Sequence, residues 1–304
     1  MKLIITADWH LREDVPLCRS HMSLEEWMDL QREAIQFVFK VAQERPGTKV
    51  AIVGDLFDRS HVHPSVVNMF LEEALCSGCV VHLLAGNHDL LYHQIKNLNR
   101  SSFGHIWNLM QSGGVDNLQT MDSLGKWFHF GTVQESDYSG EKFVFLHELC
   151  FKDEDSKHSK IKAYVAEDLL DMFPKAKYIC LGDNHKSFLY TSKDARHVIN
   201  PGCLVRQVAD LINDAPGVFF IDTDVEDVEF ISFSDGEVSN THLTKEKERD
   251  DRIDAFVSSI NSNEPESLDF RENLRKEMKS HEEELGAATQ VIVELLEECN
   301  DSKH

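Results

Sequence analysis

The chain has 304 residues, 41% of them apolar, and its 53 Asp and Glu against 31 Lys and Arg give a net charge of −22. That length suits one large domain with an appendage, or two domains, and no apolar run reaches the roughly 18 residues of a membrane-spanning helix. The charge argues against simple electrostatic binding of nucleic acid, and it is uneven: residues 225–304 hold 22 acidic and 9 basic side chains.

Taken in chain order, Met1 to Thr6 enters a strand at once, with no signal-peptide pattern. A cytoplasmic protein of a bacterial or phage-infected cell is therefore expected. The strand over 2–7 runs into Asp8-Trp9-His10. A helix follows over 23–44, with Ser23 and Glu26 spaced as a capping box. The strand over 49–53 ends in Gly54-Asp55-Leu56-Phe57-Asp58, after which His61 and His63 are candidate substrate-groove residues, a surface loop being the alternative, and Arg59, followed by Ser60 rather than a glycine, is similar in place to a phosphate-binding arginine of phosphatases. Pro64 suits the first turn of a helix over 64–76. Cys76 and Cys79 form a lone CxxC, and the seven scattered cysteines are expected to be reduced, mostly buried thiols.

A strand over 79–84 leads to Gly86-Asn87-His88-Asp89, and a helix is predicted over 101–112. The strand over 142–146 ends at an isolated His147. After a helix over 163–172, the strand over 177–181 ends in Gly182-Asp183-Asn184-His185. Shorter strands are predicted at 127–131, 188–192, 196–199, 217–222 and 228–233. From about residue 240 the composition becomes charged, and apolar stripes at 268–278 and 288–296 suggest two short amphipathic helices. They either pack back onto the main domain or dock a partner. The expected domains are thus 1–233 and an acidic, helical C-terminal region, 234–304.

Alternating strands and helices predict a layered α/β domain. Each cluster of metal-ligand side chains falls at the C-terminal end of a strand, where such sheets place ligands. Two divalent ions can clamp the attacking and leaving oxygens of a phosphoryl displacement. Such a site needs a bridging carboxylate, for which Asp55 is the natural candidate. Asp8 and His10, two apart at a strand end, can turn toward one ion. Asn87 offers an amide oxygen, His147 an imidazole, and His185 closes the shell.

Asp8-x-His10, Gly54-Asp55-x-x-Asp58, Gly86-Asn87-His88-Asp89, His147 and Gly182-x-x-His185 together resemble the calcineurin-like metallophosphoesterase superfamily. Within it, Thr6 to Leu11, Gly54 to Asp58 and Ala85 to Asp89 look most like the SbcD-type DNA-repair nuclease subunits. Asn200-Pro201-Gly202-Cys203 is similar to a late turn of that fold. The resemblance implies a layered β-sandwich flanked by helices, here with a small helical C-terminal appendage. It implies that Asp8, His10, Asp55 and His185 hold one ion, that Asp55, Asn87, His147 and Asp183 hold the other, and that His88 is the catalytic acid beside them. The family's usual Gly-His-x-His element here carries Asp183 in place of the first histidine. An oxygen ligand there suits manganese, with magnesium as the alternative, better than zinc; a weakened second-metal site is the competing outcome.

The activity so implied is two-metal hydrolysis of DNA, as exonuclease or endonuclease, in repair and recombination. The implied partners are DNA, an SMC-like coiled-coil ATPase subunit and a second copy of the chain. Two other readings stay open: a phosphodiesterase or phosphatase for nucleotides and other small esters, and an interaction protein with a degenerate metal site.

Overall fold

The computed structural model describes residues 1–128, 130–133, 138, 140–156 and 163–240. The chain divides into two compact units, Met1–Asn240 and Thr241–His304. The second unit, with both predicted amphipathic stripes, lies outside the described residues.

In the first unit, β1 (Lys2–Thr6) is followed by α1 (Leu24–Gln43), β2 (Thr48–Val53), α2 (Pro64–Cys76), β3 (Val81–Leu84), α3 (Ser102–Gln111) and β4 (Leu118–Thr120). Then come β5 (Lys126–Phe128), β6 (Phe143–His147), β7 (Cys150–Phe151), β8 (Tyr164–Val165), α4 (Ala166–Met172) and β9 (Tyr178–Gly182). The last four strands are β10 (Phe188–Thr191), β11 (His197–Asn200), β12 (Gly217–Asp222) and β13 (Asp227–Ser232). One sheet has the order β13-β12-β1-β2-β3-β4 and a second the order β10-β11-β9-β6-β5. β1 to β4 run parallel, as do β5, β6, β9 and β11. The parallel strands therefore deliver their C-terminal ends to one edge of each sheet.

The central strands are buried on both faces, so their sequences read as continuous apolar runs rather than alternations. Leu3, Ile5, Ala51 and Val53 meet Phe143, Phe145, Tyr178 and Cys180 of the second sheet in one core. Phe143 stacks on Tyr178 with ring centres 4.8 Å apart. The intervening Ile4, Val50 and Ile52 pack outward on α1, α2 and α3 residues such as Val38, Phe70 and Phe103. On the other side Val144, Leu146 and Ile179 pack on Leu169, Leu170 and Phe173. The result is helices, sheet, sheet, helix: the layered sandwich that the sequence predicts. α1 starts with the expected capping box, Ser23 Oγ accepting from Glu26 N at 3.2 Å and Ser23 N donating to Glu26 Oε2 at 2.7 Å.

The elements depart from the sequence reading in a few places. The helix predicted over 163–172 begins only at Ala166, because Tyr164 and Val165 pair with Cys150 and Phe151 instead. The strand predicted from 79 begins at Val81, since Ser77 caps α2 and its hydroxyl accepts from Cys79 N at 3.0 Å. β4 has no counterpart among the predicted strands; three residues are too few to show a period. Residues 233–239 stay with the first unit. Asp235 there is ion-paired to the buried Arg19 and to Arg206, and Ser239 N donates to Cys18 O at 2.9 Å.

Candidate active site

Asp8 follows β1, Asp55 follows β2, Asn87 and His88 follow β3, His147 ends β6, and Asp183 and His185 follow β9. The first three loops belong to one sheet and the last two to the other, so the site forms only when the sheets pack. The chain turns sharply there. Asp8, His10, Asp55 and Asp183 have φ of 51°, 44°, 49° and 82°, half of the eight non-glycine residues with positive φ among the described residues. Such backbone costs about 1–3 kcal/mol per residue and collects at functional sites. Gly54 (φ 89°) is required on a second ground: a Cβ there would lie 2.0 Å from His147 Nδ1.

The ligand atoms converge. Asp8, His10 and His185 form one group, Asp8, Asp55 and His147 a second, and His10, Asp55 and His88 a third, with the ligand atoms of each within 4.8 Å of one another. His10 Nε2 and His185 Nε2 are 3.0 Å apart, and His10 Nε2 is 3.6 Å from Asp55 Oδ2. His147 Nε2 lies 3.2 Å from Asp55 Oδ2 and 3.9 Å from both Asp8 Oδ1 and Asp183 Oδ1. The Asn87 amide is 3.0 Å from His147 Nε2 through Oδ1; turned over, its nitrogen donates to Asp55 Oδ2 at 3.0 Å. Every sequence-derived ligand candidate is therefore in this cluster, with Asp55 central to it.

The donor set suits divalent cations. His147 Nδ1 donates to Val53 O at 2.8 Å, which leaves Nε2 as the outward-facing nitrogen. His88 is held alike, its Nδ1 donating to Asp58 O at 2.6 Å. Burial pushes the Asp8 carboxyl well above its ordinary value, against the pull of His147. Burial acts upward on Asp55 too, but His147 and His10 outweigh it and hold that carboxyl low. For His147, burial acts downward and Asp55 with Asp8 and Asp183 drives the imidazole up regardless. Burial takes His10 down to about 3 and lowers His185, so both rings are neutral lone-pair donors near pH 7. Carboxylates, imidazoles and an amide packed this tightly offer the mixed oxygen and nitrogen donors that hold divalent cations.

The other candidates are placed differently. His63 is the N-cap of α2, its Nδ1 accepting from Ser65 N at 3.3 Å, and His61 is exposed with its Nδ1 3.1 Å from Ser60 Oγ. Arg59 lies at the rim, ion-paired to Asp14. Cys76 is exposed and Cys79 buried, both as free thiols. His129 and His158, assigned no role from sequence, lie outside the described residues.

Sequence reasoning missed three participants. Asp89 is fully buried and accepts from Leu56 N (3.2 Å), Phe57 N (2.9 Å) and Gly86 N (3.0 Å), tying the Asp55 loop to the Asn87 loop. Its place in Gly-Asn-His-Asp was the available signal. His93 Nδ1 donates to Asn87 O at 2.8 Å, and its ring centre is 6.0 Å from that of His88. Arg12 contacts Asp58 at 3.3 Å. Nothing in local spacing marks His93 or Arg12.

Residues 1–187 match the Metallophos family, described as calcineurin-like phosphoesterase. No curated protein matches the chain. Solved structures similar to it include a Thermus thermophilus protein, 10% identical, covering 76% of this chain and 98% of that one at a TM-score of 0.46. An archaeal phosphodiesterase is 15% identical, with coverage of 77% and 100% and a TM-score of 0.37. A dimetal phosphatase from Danio rerio is 11% identical, with coverage of 72% and 91% and a TM-score of 0.43.

Proposed function

The chain belongs to the calcineurin-like phosphoesterase family, and from that premise we propose that this metal-dependent phosphoesterase is a DNA nuclease of the SbcD type. The observation that carries the hydrolytic reading is the overlap of three ligand groups through Asp8, His10 and Asp55. The observation that favours DNA is the wording of the motifs, Asp8-Trp9-His10-Leu11 and Gly54-Asp55-Leu56-Phe57-Asp58 above all.

Asp8, His10, Asp55 and His185 would hold one ion, and Asp55, Asn87, His147 and Asp183 the other. When bound, two divalent ions supply Lewis-acid polarisation of the phosphoryl group, with manganese the proposed metal. The chain's own residues do the rest. His147 and His88 are fixed by backbone carbonyls, so neither ring must reorient on the way to the transition state. His88, protonated at Nε2, gives that proton to the departing ester oxygen, while Nδ1 stays bonded to Asp58 O. Asp183 keeps a carboxylate oxygen 3.9 Å from His147 Nε2, which supports an oxygen ligand at this corner.

The proposed assembly is a homodimer working with an SMC-like coiled-coil ATPase, docked through the apolar stripes at 268–278 and 288–296. A second reading, hydrolysis of nucleotides or other small esters, is favoured by the net charge of −22. The assay that separates them supplies Mn2+ with linear DNA or bis(p-nitrophenyl) phosphate to wild type, His88→Ala and Asp55→Ala. DNA degradation lost in both variants supports the nuclease. Turnover of the small diester alone selects the second reading, and turnover of neither at full metal occupancy removes both. Deleting 265–304 should abolish binding of the ATPase subunit and spare hydrolysis of the small ester.

A further inference from the structure

We propose that Gln207 is a positioning residue for the ligand group Asp8, His10 and His185, and that Asp235 sets it in place through Arg206. The proposal rests on the metal-site reading and adds to it two residues that lie outside every motif of the sequence.

The segment after β11 bonds to the backbone of all three ligands. Cys203 N donates to His185 O at 3.1 Å and Leu204 N to Asp8 O at 3.4 Å. Gln207 Nε2 donates to His10 O at 2.9 Å and to Trp9 O at 3.2 Å. Those two carbonyls flank the His10 Cα, so one amide fixes the peptide planes on either side of the ligand. Asp8 and His10 have φ of 51° and 44°, and such backbone persists only where its surroundings over-determine it. Gln207 Oε1 is buried with no hydrogen-bond partner among the described residues. An unpaired buried oxygen is a cost to folding, so stability alone does not account for a glutamine here.

Gln207 is in turn delivered by its neighbour. Arg206 N donates to Asp235 Oδ2 at 2.8 Å, and Arg206 O accepts from Arg19 Nε at 3.1 Å. The main chain directly before Gln207 is thus gripped at both its donor and its acceptor. Arg206 Nε donates to Asp235 Oδ1 at 2.9 Å, and Arg19 Nη2 ion-pairs with Asp235 Oδ2. Arg19 and Asp235 are 0% and 2% exposed. Desolvation offsets much of the attraction in a buried charge cluster of this kind, so its net contribution to stability is small. What the cluster supplies is a fixed path from residue 235 to the His10 loop.

The test is calorimetric titration of the full chain with Mn2+, in which the two proposed ions should bind as two events. His10→Ala marks the event that belongs to the His10 ion. Gln207→Leu should weaken that event about tenfold, the lower end for groups that hold a ligand in place, and leave the other within about twofold. Gln207→Glu, which turns an oxygen toward both carbonyls, should weaken it further. Asp235→Asn, or Arg206→Lys should the former not fold, should weaken the same event by a smaller factor. Equal weakening of both events in Gln207→Leu, or no change in either, overturns the proposal, because a merely structural residue would loosen both sites or neither. An unaltered His10 event in both Asp235→Asn and Arg206→Lys overturns the path through Arg206. Failure of the metal reading looks different: the wild type then binds no Mn2+, and the proposal falls with it.

Discussion

Asp8, Asp55 and His147 at the floor of the site are at most 1% exposed, whereas the Asp14 and Arg59 side chains at its rim are nearly half exposed. The floor concentrates carboxylates and imidazoles whose charges burial opposes, and only a cation or a shared proton reconciles them. The rim pairs opposite charges in water, where each pair is cheap to break. Rigidity at the floor suits chemistry that tolerates no misplacement. The proposed metal ligands thus lie in the buried floor, and the exposed rim carries ion pairs of little energetic weight.

The comparison breaks first at Asp55. Asp55→Asn should lower kcat by more than about a hundredfold, above the tenfold to hundredfold typical of residues one contact further from a metal. A smaller loss in a Mn2+-saturated assay would mean that Asp55 is not central to the floor. Asp89→Asn tests that outer range: it places an amide N–H2 where three backbone N–H groups need an acceptor. Calorimetric titration should show Mn2+ affinity reduced about tenfold to a hundredfold.

Protons sharpen the contrast. Asp8 and His147 both have raised affinity for a proton in the metal-free protein, Asp8 through burial and His147 because Asp55 outweighs burial. A cation must displace those protons, so binding should release protons and tighten as pH rises, by about tenfold per pH unit for each proton displaced. Titrations in buffers of different ionisation heat measure the number released; a value of zero at pH 6–7 would contradict the shared-proton floor. The smallest effect belongs to His63. Its loss as the α2 cap in His63→Ala should cost about 1 kcal/mol in chemical denaturation, with hydrolysis of the small diester retained, because the ring is spent on Ser65.

Much of the site was legible because each ligand sits within a few residues of a strand end. An apolar run followed by Gly-Asp, Gly-Asn-His or Asp-x-His states both the strand and the turn locally. Local spacing left His63 open between a groove and a loop residue, and did not show that a histidine before Pro64 caps α2. It also failed at Tyr164 and Val165, whose strand exists only through pairing with Cys150 and Phe151.

The sequence by itself determined the ligand types, their order and the strands that carry them, since these follow from short-range periodicity and turn chemistry. Tertiary structure alone decided that loops from two sheets meet around Asp55, that Asp89 joins two of those loops, and that Gln31 in α1 holds Arg12 beside Arg59. Those contacts join residues far apart in the chain through hydrogen bonds and ion pairs, and no local spacing encodes such a partner.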